Sequence, residues 1–148
     1  MCERLRGIGI GFCLQDFPNI QALRKEQQLC LVNLARGKDI FVILLTGIGK
    51  SLIFQLFPRL AKAAMKSEMC SIVVVSPLVS VIWDQVEQLK QLGFSAAAIG
   101  LGEEYGEDEK AVREGKCELV FGEFCDRSVT PAARKCIFWS LPLEVSIV

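Results

Sequence analysis

A short run of glycines followed by a lysine and a serine contains the residues of this sequence best suited to bind phosphate. Glycine lets a chain curl so tightly that several backbone N–H groups point into one concavity. A helix that begins near Lys50 would direct its unpaired N–H groups and its positive dipole end to the same place. Lys50 would then act as the catalytic cation on the β- and γ-phosphates of a nucleotide, and the Ser51 hydroxyl would ligate Mg²⁺. The run is Thr46-Gly47-Ile48-Gly49-Lys50-Ser51.

The run departs from the full phosphate-loop signature at one position. Leu44 stands where the pattern G-x-x-x-x-G-K-[ST] has its first glycine. An ordinary βα turn that contains glycines is therefore an alternative interpretation. A G-x-G-K-S run between a buried strand and a helix is much more specific than glycines alone, so the sequence favours nucleotide binding.

Composition argues against several other kinds of chemistry. The chain has 148 residues, of which 51% are apolar and 23% charged, and this predicts one globular domain. No apolar run has the ~18 residues of a membrane-spanning helix and the first residues resemble no secretory signal, so we expect an intracellular protein. Seven scattered cysteines and no histidine disfavour a zinc site and catalysis by Ser/His or Cys/His pairs.

The elements that must position the loop alternate between helix and strand. This alternation predicts right-handed βαβ crossovers and a parallel sheet covered by helices on both faces. The apolar run that ends in the loop, residues 39–45, reads as a strand buried on both faces. The predicted helices are residues 25–36, 50–65, 79–92 and 106–113, and the predicted strands are residues 39–45, 71–76, 95–99 and 118–121.

With these motifs, residues 20–122 resemble the first RecA-like domain of a RecQ-type DNA helicase of superfamily 2. The loop of that family commonly reads M-P-T-G-x-G-K-S, so Leu44 agrees with it, while Leu45 replaces the usual proline. Upstream, the run from Leu23 to Gln27 resembles the adenine-reading motif of the family, whose glutamine contacts the base edge. The resemblance implies that ATP and Mg²⁺ are bound by Arg24, Gln27, Thr46, Gly47, Ile48, Gly49, Lys50 and Ser51.

A second run, residues 75–85, resembles the motif P-L-x-S-L-x-x-D-Q, at which the family meets the DNA backbone. Serine hydroxyls and free N–H groups at a helix start are neutral donors suited to phosphate oxygens. For Ser80 a helix-capping role fits the sequence equally well, and for Trp83 a contact in the core does. The resemblance implies DNA contacts by Ser76, Pro77, Ser80 and Gln85.

The resemblance ends at Gly122, before a motif that hydrolysis requires. Family members continue to a strand that ends in D-E-x-H, whose aspartate holds Mg²⁺ and whose glutamate positions the attacking water. No Asp-Glu pair follows an apolar strand in this sequence, and we expect its residues to form no second RecA-like domain. We therefore predict a three-layer α/β domain of RecA-like type with a mainly parallel sheet, incomplete at its C-terminal end. It would occupy residues 21–122, with an N-terminal extension at 1–20 and a divergent tail of unknown role at 123–148.

By resemblance, the function is that of an ATP-dependent 3′–5′ DNA helicase that acts in the nucleus on single-stranded DNA or a 3′-tailed duplex. Without the missing motif and domain, we do not expect this polypeptide alone to hydrolyse ATP efficiently or to unwind DNA. Two alternatives stay open. One is a non-catalytic fragment that binds nucleotide, DNA or a full-length helicase. The other is a small P-loop kinase or other NTPase, which Leu44 and the scarcity of arginine beyond residue 60 disfavour. The oligomeric state is not determined by the sequence.

Overall fold

In a computed structural model, strands and helices of the chain form a six-stranded sheet with helices on both faces. The structure describes residues 14–45, 47–65, 70–100, 106–122, 136–139 and 145–147. The helices are α1 (Lys25–Ala35), α2 (Ser51–Met65), α3 (Val79–Gln91) and α4 (Gly106–Arg113). The strands are β1 (Phe41–Ile43), β2 (Ile72–Val75), β3 (Ala96–Ile99), β4 (Leu119–Gly122), β5 (Cys136–Trp139) and β6 (Val145–Ile147). The predicted helices and strands up to Gly122 are confirmed.

The sheet is mainly parallel, as the sequence predicts. Its strand order is β1-β6-β5-β2-β4-β3, in which β2 pairs in parallel with both β4 and β5, and β4 pairs in parallel with β3. Strand β6 lies between β5 and β1 and pairs antiparallel with both, so it is the one described strand that runs in the opposite direction. Two short segments of the tail thus lie between the strand that leads into the glycine-rich loop and β2. The rest of the tail lies outside the described residues.

The three strands β2, β4 and β3 form the centre of the core. Side chains of a strand alternate between the two faces of a sheet. On one face Ile72, Val74, Leu119 and Phe121 pack with α1, α2 and α3, and on the other face α4 covers the alternate positions. The edge-to-face contact of Phe121 with Phe54, whose ring centroids are 6.1 Å apart, joins this core to α2. The helix–sheet–helix layering agrees with a partial RecA-like domain.

One prediction about the strand before the loop is wrong. We expected residues 39–45 to be buried on both faces, but Phe41, Ile43 and Leu45 are 60%, 61% and 65% exposed. Only the alternate positions, among them Val42 and Leu44, pack against the core. The second face is exposed because β1 is an edge strand of the described sheet and no helix of the described residues covers that face. A continuous apolar run shows what could be buried and not whether a covering element is present.

The residues just before α1 belong to the same packed unit. Phe17 is buried and its ring lies 5.6 Å from that of Phe94, measured between centroids. Arg59 of α2 stacks on the ring of Phe94, pairs with Asp16 and donates a 2.8 Å hydrogen bond to the carbonyl of Gly93. At least residues 14–20 of the predicted N-terminal extension are thereby fixed to the core. No helix of the described residues is long and apolar enough to cross a membrane.

Candidate functional site

The glycine-rich loop connects the end of β1 to the start of α2. Gly47 and Gly49 both have a φ of 82°, a left-handed conformation that residues with a Cβ atom rarely adopt. Helix α2 begins at Ser51, two residues after Gly49. The two glycines thus adopt the backbone conformation for which glycine is suited. Thr46, which the sequence places in the same loop, lies outside the described residues.

Lys50 lies inside the curl. Its side chain is only 7% exposed, and its ammonium donates hydrogen bonds of 2.8 Å to the Leu44 carbonyl and 3.3 Å to the Leu45 carbonyl. A buried ammonium needs such partners, because removal of a charge from water is costly. An ammonium group has three N–H donors, so two carbonyl bonds leave one for a further acceptor. Lys50 is therefore held at the base of the loop by Leu44 and Leu45, the two residues that precede the loop.

Ser51 is the first residue of α2 and lies at the mouth of a cavity of about 160 Å³. The first N–H groups of a helix have no acceptor within it and favour anions. The cavity is mostly apolar, and its polar lining comes from Ser51, Ser76 and Gln85. Within the described residues, no group of three acidic, cysteine or histidine side chains could hold a metal ion.

Gln27 of α1 holds the loop from the opposite side. Its side-chain Nε2 donates hydrogen bonds of 3.0 Å to the carbonyls of both Ile48 and Gly49, and its Oε1 accepts a 2.8 Å bond from the Arg24 backbone N–H. Gln27 is 3% exposed. Both amide N–H donors are thus used by the loop itself, in place of the base edge that the sequence predicts. Arg24 is exposed beside the start of α1.

The four residues predicted to contact DNA divide into two pairs. Pro77 and Ser80 are exposed at the start of α3. Ser76 is 3% exposed, and its Oγ accepts a 3.3 Å hydrogen bond from the Leu78 N–H, which shapes the turn before α3. Gln85 is half-buried, and its Oε1 accepts a 2.9 Å bond from Gln55 Nε2. The structure therefore presents Pro77 and Ser80 to solvent, and it places Ser76 and Gln85 beside Ser51 in the cavity.

Gln55 is a polar residue of the site that the sequence analysis missed. It is 6% exposed and lies on α2 four residues after Ser51, on the same side of the helix. A signal was available, because Gln55 is flanked by Leu52, Ile53, Phe54, Leu56 and Phe57, all of which are buried. An amide within such an apolar run needs a partner in the interior.

Two buried thiols near these elements are poor nucleophiles. Burial raises the pKa of the Cys30 thiol and of the Cys117 thiol, and the nearby Asp108 carboxylate raises the pKa of Cys117 further. A raised pKa keeps a thiol protonated at neutral pH, and the thiolate is the reactive form. Both residues therefore serve as packing in this structure.

The glycine-rich loop, Gln27 behind it and the turn before α3 lie on a mainly parallel sheet, an arrangement that agrees with a helicase-type domain. The match with known families agrees, since residues 24–126 correspond to the DEAD/DEAH box helicase family. This chain belongs to that family.

The relatives of the chain are RecQ-type DNA helicases. It is 38% identical over 93 residues to "ATP-dependent DNA helicase Q-like 4B" of Arabidopsis thaliana, which covers 63% of this chain and 8% of the relative. It is 34% identical over 104 residues to "ATP-dependent DNA helicase RecQ" of Pasteurella multocida, or 68% of this chain and 15% of the relative. It is 40% identical over 76 residues to "RecQ-like DNA helicase blm-1" of Caenorhabditis elegans, and this match covers 51% of this chain and 7% of the relative. The chain thus spans only a small part of the length of these relatives.

Proposed function

We propose that this chain is the ATP-binding part of a RecQ-like ATP-dependent DNA helicase, which binds Mg²⁺-ATP at the loop and the DNA backbone at the start of α3. The observation that carries the proposal is Lys50, a buried ammonium at the base of a loop whose two glycines have positive φ. A merely structural lysine would more often extend to solvent, because its charge is strongly hydrated.

Each loop residue would have one task in nucleotide binding. The backbone around Gly47, Ile48 and Gly49, together with Thr46, would enclose the phosphates. Lys50 would turn its remaining N–H donor to a phosphate oxygen, and Ser51 would give its hydroxyl to Mg²⁺. Bound ATP supplies the phosphoanhydride bond, and Mg²⁺ would neutralise the charge of its phosphates. What supports this assignment is that Lys50 and the start of α2 follow directly on two glycines with positive φ.

The contact with the base would depend on Gln27 and Arg24. An amide suits adenine, since it can donate to N7 and accept from the exocyclic amine. Gln27 donates instead to the carbonyls of Ile48 and Gly49. To donate to the base, the Gln27 amide would have to break at least one of these bonds. Recognition of adenine would therefore remove a contact that holds the loop.

The DNA contact would be made by the start of α3. Exposed Ser80 and the first N–H groups of the helix are neutral donors for phosphate oxygens, and Pro77 brings the backbone to the surface. Ser76 would act from below, by holding the turn through the Leu78 N–H. Direct contact by Gln85 would require its side chain to leave the cavity. The 3′–5′ direction, the preferred DNA structure and the nuclear location stay predictions from the resemblance.

A second candidate, a non-catalytic nucleotide- and DNA-binding fragment, is favoured by one observation. One of the two strands that pair with β2 is β5, and its sequence, Cys-Ile-Phe-Trp, contains no carboxylate. Phosphoryl transfer to water depends on a group that positions the water and on charge stabilisation, so loss of these groups costs several orders of magnitude in rate. We therefore expect binding of ATP without efficient turnover.

Binding of a fluorescent ATP analogue with Mg²⁺ to the purified chain tests the proposal. We expect saturable binding that Lys50→Met weakens by about tenfold or more, because the variant keeps the length of the side chain and removes its charge. Lys62→Met is the matched control, since Lys62 is an exposed lysine near the other end of the same helix. Equal binding by wild type and Lys50→Met would contradict the proposal. Release of phosphate, measured with and without single-stranded DNA, then decides between the two candidates.

A further inference from the structure

A hydrogen bond between a buried amide and a half-buried one joins the helices that carry the two candidate sites. Gln55 Nε2 on α2 donates to Gln85 Oε1 on α3 over 2.9 Å. Helix α2 begins with Ser51 at the phosphate loop, and α3 begins just after Ser76 and the proposed DNA contact. Gln55 lies one helical turn beyond Ser51, and Gln85 one to two turns beyond Ser80. The bond therefore lies close behind both sites.

The surroundings of the bond make it sensitive to movement. Gln55 is 6% exposed, and Gln85 lines the cavity into which Ser51 and Ser76 also project. Loss of the partner of a buried amide costs free energy when no water can replace that partner. Two apolar side chains of similar shape could instead slide past one another. A shift of α2 relative to α3 must consequently carry the other helix along or break the bond. Residues of both helices, among them Phe54 and Gln85, line a cavity of about 160 Å³, so the helices are not fully packed against each other there.

We propose that the Gln55–Gln85 hydrogen bond is the link through which nucleotide at the phosphate loop and DNA at the start of α3 change each other's affinity. Both glutamines are positioning residues in this account and contact neither ligand. The inference rests on the proposed function, since it needs both ligands to bind where we place them. A coupling between two sites is reciprocal, so the effect of DNA on nucleotide affinity equals the effect of nucleotide on DNA affinity.

A coupling measurement tests the link. The affinity of a fluorescent ATP analogue with Mg²⁺ is measured without and with saturating single-stranded oligonucleotide, for wild type, Gln55→Met, Gln85→Met and the double variant. Methionine keeps the length of glutamine and removes its amide, and the double variant leaves neither amide without a partner. In the wild type we expect the oligonucleotide to change the affinity by about fivefold or more. In Gln55→Met each ligand should bind alone almost as in the wild type, and in all three variants the change should fall below about twofold.

The controls separate this inference from the proposed function and from a purely structural role. Gln88→Met, an exposed glutamine on α3, should keep the full coupling. Urea unfolding of the double variant should match the wild type, so that loss of coupling is not loss of fold. Undiminished coupling in the double variant, or none in the wild type, overturns the inference alone. So does a Gln85→Met variant that binds DNA weakly without nucleotide, which would make Gln85 a direct contact. A wild type that binds neither ligand overturns the proposed function and the link together.

Discussion

The two ends of the sheet differ in how far they are buried. Strands β2, β4 and β3 are almost completely covered, whereas β1, which leads into the glycine-rich loop, exposes Phe41 and Ile43 by about three fifths. Helix α2 behind the loop belongs to the core, so the loop connects a half-covered strand to a buried helix. The loop itself is held by polar contacts, above all those of Gln27 and Lys50. Fold and candidate site therefore depend on different kinds of interaction, which variants at each place can separate.

The first prediction compares the loss of stability when an aromatic ring is removed from the covered strand β4 with the loss when one is removed from the edge strand β1. Phe121→Ala should lower the free energy of unfolding by about 3–5 kcal/mol, because the ring is 1% exposed and packs on Phe54. Phe41→Ala, the matched substitution on β1, should change it by less than about 1 kcal/mol. Urea unfolding of both variants measures the difference. Equal losses would mean that β1 is covered in solution.

The next effect concerns the two loop glycines, which share a φ of 82° but differ in their surroundings. Alanine at either position should cost about 1–2 kcal/mol of loop strain, which weakens nucleotide binding. Gly49→Ala should be the worse of the two, because its Cβ would lie 3.0 Å from Gln27 Nε2, whereas at Gly47 nothing lies within 4 Å. Titration with the ATP analogue compares the variants. Equal affinities would show that Gln27 does not pack on the loop as described.

A smaller effect is expected from Gln27→Leu, which removes the amide that joins α1 to the loop. Loss of two hydrogen bonds to carbonyls should cost about 1–3 kcal/mol, seen as weaker binding of ATP and GTP analogues alike. Gln28→Leu is the control, because its exposed amide bonds only the Leu23 carbonyl nearby. If Gln27→Leu weakens only the adenine nucleotide, the amide reads the base and its hold on the loop is secondary.

The smallest effect on stability, but a visible one on solubility, is expected from Ile43→Thr. Threonine keeps the β-branched shape and reduces the apolar surface of an edge strand, and such surface favours association. We expect less light scattering at high protein concentration and a change in the free energy of unfolding of about 0.5 kcal/mol or less. Unchanged scattering would indicate that the face of β1 does not drive association.

Much of this architecture could be predicted from the sequence. Strands such as Ile72–Val75 are continuous β-branched runs, and the period of Ile82, Val86 and Leu89 defines the buried side of α3. The turn before α2 could be predicted because Gly47 and Gly49 can adopt the positive φ that the turn requires. These signals are local, so each can be read within a window of a few residues.

The rest could not be predicted, because it depends on which elements meet in space. Whether the second face of β1 is covered is decided by distant residues, so the run of residues 39–45 looked more buried than it is. The same holds for Gln27 and Gln85, whose partners Ile48 and Gln55 are 21 and 30 residues away. An amide shows that a hydrogen bond will be made, but its identity alone does not tell with which group.

Hydrogen–deuterium exchange with each ligand tests both proposed binding sites in one experiment. We expect an ATP analogue with Mg²⁺ to slow exchange in peptides that contain Gly47–Ile53. We expect single-stranded DNA to slow exchange in peptides that contain Leu78–Ile82, since bound ligands occupy the free N–H groups of helix starts. Protection elsewhere, or none from either ligand, would contradict the proposed function.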